Sequence, residues 1–254
     1  MSLDTLFGLQ GKLAVVTGGA RGLGLGIARG LARAGADLVL LDRTASKEAE
    51  SELSSLGVRV RSLQADLADA AGLAETARRV LAASEGHADI LVNNAGLQRR
   101  VNWDQHTQAD WDIQLDVNLR AAFVLSQQLG AAMAQRGAGK IINIASIRSI
   151  AASPAALGYG VSKAGLAQLT RSLAVALAPA GVQVNAIAPG YMQTALTAAL
   201  SGDATASASA LSRVPAGRWG RPDDLQGLAV FLSSAASDYV TGALIPCDGG
   251  FLAC

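Results

Sequence analysis

The stretch Leu13-Ala14-Val15-Val16-Thr17-Gly18-Gly19-Ala20-Arg21-Gly22-Leu23-Gly24 runs from a short apolar, β-branched segment through a glycine-rich turn into an Ala- and Leu-rich segment with helical spacing. A strand, a tight glycine turn and a helix in that order let the backbone approach a pyrophosphate, whose charge then rests on unpaired amides at the helix N-terminus. Gly18, Arg21, Gly22, Leu23 and Gly24 are therefore candidate phosphate contacts. Asp42 ends a second apolar run, Leu38 to Leu41, about 20 residues further on, where a carboxylate accepts hydrogen bonds from ribose hydroxyls. It repels a 2′-phosphate, which favours NAD. Arg21 in the turn and Arg43 beside Asp42 would attract that phosphate, so NADP is the second reading.

Working outward, apolar runs recur at Val58 to Leu63, Ile90 to Val92, Ile141 to Ile144, Val182 to Ile187 and Ala243 to Ile245. Longer stretches with helical spacing lie between runs: Gly22 to Ala34, Ala70 to Ala83, Trp111 to Gln135 and Tyr159 to Ala178. Strands apolar on both faces and joined by helices require a parallel sheet covered on both sides, a doubly wound α/β fold. No linker divides the chain, so residues 1–254 are expected to form one domain. Thr197 to Ser212, almost wholly Ala, Ser, Thr, Leu and Gly, reads as one weakly anchored helix, and residues 191–215 as a substrate lid.

Composition narrows the class. Lys plus Arg number 21 against 20 Asp plus Glu, a net charge of +1 that supplies no field for nucleic acid or anionic lipid. No apolar run approaches the roughly 18 residues of a membrane span. Two cysteines, Cys247 and Cys254, fit neither a disulfide scaffold nor a zinc pattern. Residues 1–10 show no basic region followed by an apolar stretch, so the chain is expected to begin near Met1 and to be cytoplasmic. His87 and His106 lack partners at ligand spacing, and no metal site is expected. Trp103 and Trp111 read as core, Cys247 as a small core residue, and Arg218-Trp219 as a structural turn.

The turn has the spacing Thr-Gly-x-x-x-Gly-x-Gly, and further on stand Asn93-Asn94-Ala95-Gly96, Ser146 and Tyr159-Gly-Val-Ser-Lys163. With these motifs the chain, from Gly11 to Asp248-Gly249-Gly250, resembles the short-chain dehydrogenase/reductase family. The resemblance implies a Rossmann fold with seven parallel strands in the order 3-2-1-4-5-6-7. It also implies a nicotinamide cofactor, with Asp66 and Leu67 beside the adenine, Asn94, Ala95 and Gly96 at the fourth strand, and Pro189, Gly190 and Thr194 at the nicotinamide end. Asn118 resembles the member of the catalytic set that holds a water relaying protons from Lys163. A homotetramer is implied, the long helices pairing across one dyad and the last strand across another.

The catalytic residues also make chemical sense alone. Tyr159 and Lys163, four apart on a helix, share a face, so the ammonium is expected to lower the phenol's pKa and make it a usable base. Ser146 would hydrogen-bond the reacting substrate oxygen. The segments Asn93 to Arg100, Lys140 to Ser146, Asn185 to Met192 and Arg213 to Gly220 are similar to the gluconate-type branch, which includes 2-deoxy-D-gluconate 3-dehydrogenase, 2-dehydro-3-deoxy-D-gluconate 5-dehydrogenase and gluconate 5-dehydrogenase. A sugar acid needs a cation for its carboxylate, and Arg100, Arg99 and Arg148 are the candidates. Two alternatives stand beside this reading: a 3-oxoacyl-(acyl-carrier-protein) reductase using NADPH, and a cofactor-sensing protein without turnover. Retention of Ser146, Tyr159 and Lys163 argues against the last.

Overall fold

The computed structural model describes residues 2–254; Met1, counted in the expected 1–254 domain, lies outside them. Seven strands, β1 (Leu13–Thr17), β2 (Asp37–Asp42), β3 (Val60–Gln64), β4 (Ile90–Asn93), β5 (Gly139–Ile144), β6 (Val182–Pro189) and β7 (Leu244–Cys247), form a single sheet. Its order is β3-β2-β1-β4-β5-β6-β7, every pairing parallel. This is the order the resemblance implies.

Alternation along each strand feeds two cores. Ala14, Val16, Leu38, Leu40, Val92, Ile142 and Ile144 face one side, where α2 (Gly22–Arg33), α3 (Lys47–Ser54) and α10 (Gln226–Ser233) cover them. Val15, Val39, Leu91, Ile141 and Val184 face the other, under α4 (Leu73–Ala83), α6 (Ala121–Arg136) and α7 (Leu157–Leu177). Both faces are dry, as a parallel sheet demands. Each fully buried leucine, such as Leu31, Leu91 or Leu129, contributes about 1.5–3 kcal/mol. One polar ladder crosses the second face: Asn93 Nδ2 donates to Ser126 Oγ (2.9 Å) and Asn143 Oδ1 (2.8 Å), and Asn143 Nδ2 donates to Thr170 Oγ1 (2.9 Å). It joins β4 and β5 to α6 and α7 directly beneath the carboxyl edge of the sheet.

Several elements differ from the expectations. The long helix expected over Trp111–Gln135 starts earlier, as α5 (Gln108–Leu115), because the Thr107 hydroxyl accepts the Asp110 amide at 3.1 Å and caps it. It is then interrupted by a π turn over Asp116–Arg120 before α6 begins. The expected lid helix is two pieces, α8 (Ala198–Gly202) and α9 (Ala204–Leu211), split at Asp203, whose Oδ1 accepts the Ala206 amide at 2.8 Å. Trp103 is no core residue: it stands on a short 3-10 turn, 73% exposed. Helices α1 (Leu3–Phe7), α3 and α10 were not expected. Among the described residues no helix is long and apolar enough to cross a membrane.

Candidate active site

β1 lies between β2 and β4, so the chain leaves the sheet in opposite directions at the β1/β4 boundary and a crevice opens above the strand ends. The glycine turn sits there. Helix α2 begins at Gly22 with no side chain capping its first amides. Gly22 has φ +58°, and a Cβ on it would project into open space at that helix start. Gly24 permits the helix to close on the turn, since a Cβ there would meet the Gly18 carbonyl oxygen at 2.1 Å. An open backbone cradle with uncapped amides fits a pyrophosphate.

The loop after β4 locks this turn. Asn94 Nδ2 donates to the carbonyls of Thr17 (2.9 Å) and Gly18 (3.2 Å), while the amides of Asn94 and Ala95 both donate to Thr17 Oγ1 at 2.9 Å. Thr17, the first residue of the quoted turn spacing, had been given no role; its position after an apolar strand and before the glycines was the available signal. Asp42 is half-buried at the end of β2, its Oδ2 accepting the Ala20 amide at 3.3 Å. Arg21 and Arg43 are both exposed near it. Asp66, exposed, and Leu67, buried, follow β3. Pro189 ends β6, and Gly190 passes so close to the chain after β7 that a Cβ would meet Asp248 Cα at 2.7 Å. Thr194 is tied back by its amide to Thr197 Oγ1 at 3.1 Å.

Ser146 follows β5 and caps a 3-10 turn, its Oγ accepting the Arg148 amide at 3.1 Å. Tyr159 and Lys163 lie on α7, the Lys163 Nζ 5.8 Å from the Tyr159 ring centroid and donating to the Ile144 carbonyl at 2.6 Å. Asn118 sits on the π turn. Its Oδ1 accepts the Leu97 amide and its Nδ2 donates to the Leu97 carbonyl and to Ser162 Oγ, each at 2.9 Å. Ser162 Oγ in turn donates to the Tyr159 carbonyl at 2.7 Å. Both amide protons of Asn118 are thus engaged in fixing the loop after β4 against α7. A Cβ on Gly96 would come within 3.3 Å of Asn118 Oδ1 and 3.4 Å of Lys163 Nζ, so glycine is what lets this loop lie against them.

The electrostatics differ from the sequence expectation. Burial pushes the Tyr159 phenol above its ordinary value, and the groups that pull it back are the Ser146 hydroxyl and the Arg148 and Arg100 guanidiniums rather than Lys163. Burial also pushes Lys163 down to about 8. A buried ammonium with one carbonyl partner is poorly solvated, which lowers its pKa.

Of the three candidate arginines, two act on Tyr159 and one does not. Arg99 lies 3.9 Å from Asp110 and its amide donates to Gln114 Oε1 at 2.9 Å, which ties it to α5. Arg100 is exposed. Arg148 donates from its guanidinium to the Ala152 carbonyl (3.0 Å) and the Tyr191 hydroxyl (3.0 Å). Arg218 pairs with Asp224 at 2.7 Å, and buried Trp219 donates from Nε1 to Ser207 Oγ at 2.8 Å, so this turn holds α9. His106 stacks edge-on against half-buried Trp111 at 6.4 Å. Cys247 lies in β7 but is half-buried rather than core, with its Sγ 3.6 Å from the Asp224 carbonyl. Among the described residues no cluster of three or more His, Cys, Asp or Glu could hold a metal.

A lysine whose folded pKa lies below its unfolded one binds fewer protons folded than unfolded between the two values, so its contribution to stability rises with pH across that window. For Lys163 the window runs from about 8 to the ordinary 10.5. In the cofactor-free protein, the stability of Lys163→Met minus that of wild type is expected to fall by about 3 kcal/mol across this window. Urea unfolding of both proteins at the two ends measures it, and a difference independent of pH would contradict the burial argument.

A family model described as enoyl-(acyl carrier protein) reductase matches residues 18–252. The chain is 46% identical over 248 residues to the 2-dehydro-3-deoxy-D-gluconate 5-dehydrogenase of Escherichia coli K12, covering 97% of this chain and 98% of that one. It is 39% identical over 252 residues to the gluconate 5-dehydrogenase of Gluconobacter oxydans, covering 98% of each. Its fold matches the crystal structure of a gluconate 5-dehydrogenase from Burkholderia cenocepacia in complex with NADP and tartrate with a TM-score of 0.93, at 40% identity over the whole of both chains. With these matches spanning the glycine turn, the Ser146, Tyr159 and Lys163 group and the seven-stranded sheet alike, the chain belongs to the short-chain dehydrogenase family.

Proposed function

We propose that the protein is an NAD(H)-dependent dehydrogenase that interconverts a secondary alcohol and a ketone on an open-chain sugar acid of the gluconate or 2-dehydro-3-deoxy-D-gluconate type. The observation that carries this reading is the placement of Arg148, two residues after Ser146 and held by the Ala152 carbonyl and the Tyr191 hydroxyl, with exposed Arg100 on the loop after β4. Two cations beside a hydroxyl-bearing site suit a substrate with a carboxylate and a neighbouring carbinol. The relatives named for sugar-acid oxidation support the same class.

Ser146 Oγ accepts the Arg148 amide, which leaves its proton to donate to the substrate oxygen. Tyr159 then gives a proton to that oxygen in reduction or removes it in oxidation. Because burial holds the proton on Tyr159, the resting phenol is poised to donate. Lys163 holds the sheet edge through Ile144 and supplies positive charge beside the ring when the phenolate forms. The nicotinamide cofactor supplies or accepts the hydride when bound. Gly18, Arg21, Gly22, Leu23 and Gly24 would hold its pyrophosphate, Asp42 its adenosine ribose, Asp66 and Leu67 its adenine, and Asn94, Ala95, Gly96, Pro189, Gly190 and Thr194 the inner half. Residues 191–215 are the lid over the substrate, anchored through Trp219 and Ser207. The half-buried carboxylate of Asp42 supports NAD; exposed Arg21 and Arg43, together with NADP in the Burkholderia relative, support NADP as the second reading.

The functional unit in this proposal is a cytoplasmic homotetramer. Phe123 on α6 and Val161 and Val175 on α7 are exposed at 43%, 44% and 80%, and a groove lined by Leu115, Leu119, Phe123 and Leu169 runs between the two helices. Covering that apolar face with a second copy would remove it from water.

Four outcomes are expected. Paired NADH and NADPH oxidation across sugar-derived keto acids, neutral ketoses and a β-ketoacyl thioester should give fast turnover with NADH on keto sugar acids, and Asp42→Ala should relax the discrimination against NADPH by tenfold or more. Preference for the thioester with NADPH would instead favour the carrier-protein reductase. Tyr159→Phe should lower kcat by about a thousandfold with NADH affinity, read by fluorescence titration, within threefold of wild type; activity near wild type would overturn its role. Sedimentation velocity should show a tetramer that Phe123→Asp dissociates, whereas a monomeric wild type would contradict the assembly.

A further inference from the structure

We infer that Tyr191 is a positioning residue that presents one edge of the Arg148 guanidinium to the substrate carboxylate and thereby sets preference for charged over neutral substrates, an inference that rests on the sugar-acid reading above. Tyr191 follows Pro189-Gly190 at the carboxyl edge of the sheet and opens the lid segment. Its ring is wedged edge-on against Trp219 (centroids 5.5 Å, 71°) and Phe251 (5.6 Å, 85°), so the hydroxyl has a fixed direction. That hydroxyl accepts a hydrogen bond from Arg148 Nη2 at 3.0 Å. Arg148 Nη1 is engaged with the carbonyls of Ala152 (3.0 Å) and Ala151 (3.5 Å), and the guanidinium lies 5.9 Å from the Tyr191 ring centroid and 5.8 Å from that of Phe251.

A guanidinium has five N–H donors in a rigid plane. These contacts engage Nη1 and one proton of Nη2, while Nε makes no hydrogen bond among the described residues; with the outer Nη2–H serving Tyr191, Nε–H and the inner Nη2–H stand adjacent on one edge. That edge is the one with which Arg29 grips both carboxylate oxygens of Glu52 elsewhere in this chain. The Arg148 backbone amide meanwhile donates to Ser146 Oγ, so the open edge is held at a set distance from the hydroxyl that meets the reacting oxygen. Without the Tyr191 hydroxyl, the guanidinium keeps its anchors to the two carbonyls but is free to swing its Nη2 side, and the alignment with a carboxylate is lost. The ring packing of Tyr191 does not need the hydroxyl, so Tyr191→Phe separates the two roles.

The test compares wild type, Tyr191→Phe and Arg148→Lys at saturating cofactor, with 5-keto-D-gluconate as the charged substrate and D-fructose as the neutral one. Tyr191→Phe is expected to raise KM for the acid about tenfold, in line with loss of a charge-assisted contact, with kcat within twofold and KM for D-fructose unchanged. Arg148→Lys, which keeps the charge but not the fork, should raise KM for the acid at least as much. An acid KM within twofold of wild type in Tyr191→Phe overturns the inference, as does an equal rise for both substrates, which would mark a structural role. A wild type that shows no preference for the acid removes the sugar-acid reading and this inference together, and that result is read before any variant is made.

Discussion

Two neighbouring parallel strands whose chains depart in opposite directions leave a gap at their ends, and something must hold the gap at a fixed width. Here it is the amide of Asn94. By donating to the carbonyls of Thr17 and Gly18 it pins the end of β1 to the loop after β4, and Thr17 returns the contact by accepting two amides from that loop. These bonds give partners to backbone groups at the ends of the strands, and a buried polar group left without one costs about 1–3 kcal/mol. The glycine turn cannot drift because Gly24 already touches the Gly18 carbonyl, and the loop cannot drift because Asn118 holds Leu97 from the other side. The crevice is therefore defined by hydrogen bonds that run from β1 to α7 through residues far apart in sequence.

The same economy of space explains why the reacting groups are electrostatically uneasy. Lys163 and Tyr159 are both pressed into a low-dielectric corner where burial disfavours the charged form of each, although Lys163, at about 8, still carries its proton at neutral pH. What draws the phenol back toward ionisation comes from outside the pair: the Ser146 hydroxyl and two guanidiniums on loops that follow β4 and β5. Burial raises the phenol's pKa most, and the groups that partly offset it stand on the loops after β4 and β5.

Much of this architecture was legible in the chain. Strands buried on both faces announce themselves as short β-branched runs, and Leu38 to Leu41 or Ile141 to Ile144 fall within a residue or two of the observed strands. Ser146, Tyr159 and Lys163 were legible because helical spacing and the strand end before Ser146 fix their relation locally. What escaped depends on contacts that spacing does not encode. The π turn under Asn118 and the break at Asp203 in the expected 197–212 helix are local insertions into otherwise helical patterns. Trp103 reads as core, yet it stands exposed on a short 3-10 turn. The displaced pKa of Tyr159 arises from burial, which exists only once the chain is folded.

Arg148 shows how these levels meet. Its place two residues after Ser146 marked it for a carboxylate, but the structure has already engaged both of its terminal nitrogens, with two loop carbonyls and one tyrosine. A guanidinium fully open to solvent would pay more conformational entropy on binding an anion than one already held on two sides. Its charge also reaches Tyr159, so an anion placed on the remaining edge cancels part of the pull that favours the phenolate. In the proposed reaction, substrate charge and the proton affinity of Tyr159 are consequently linked through one side chain. The sign of that linkage strengthens the hold of Tyr159 on its proton when a carboxylate is bound, the state required of a group that must deliver a proton to a ketone oxygen.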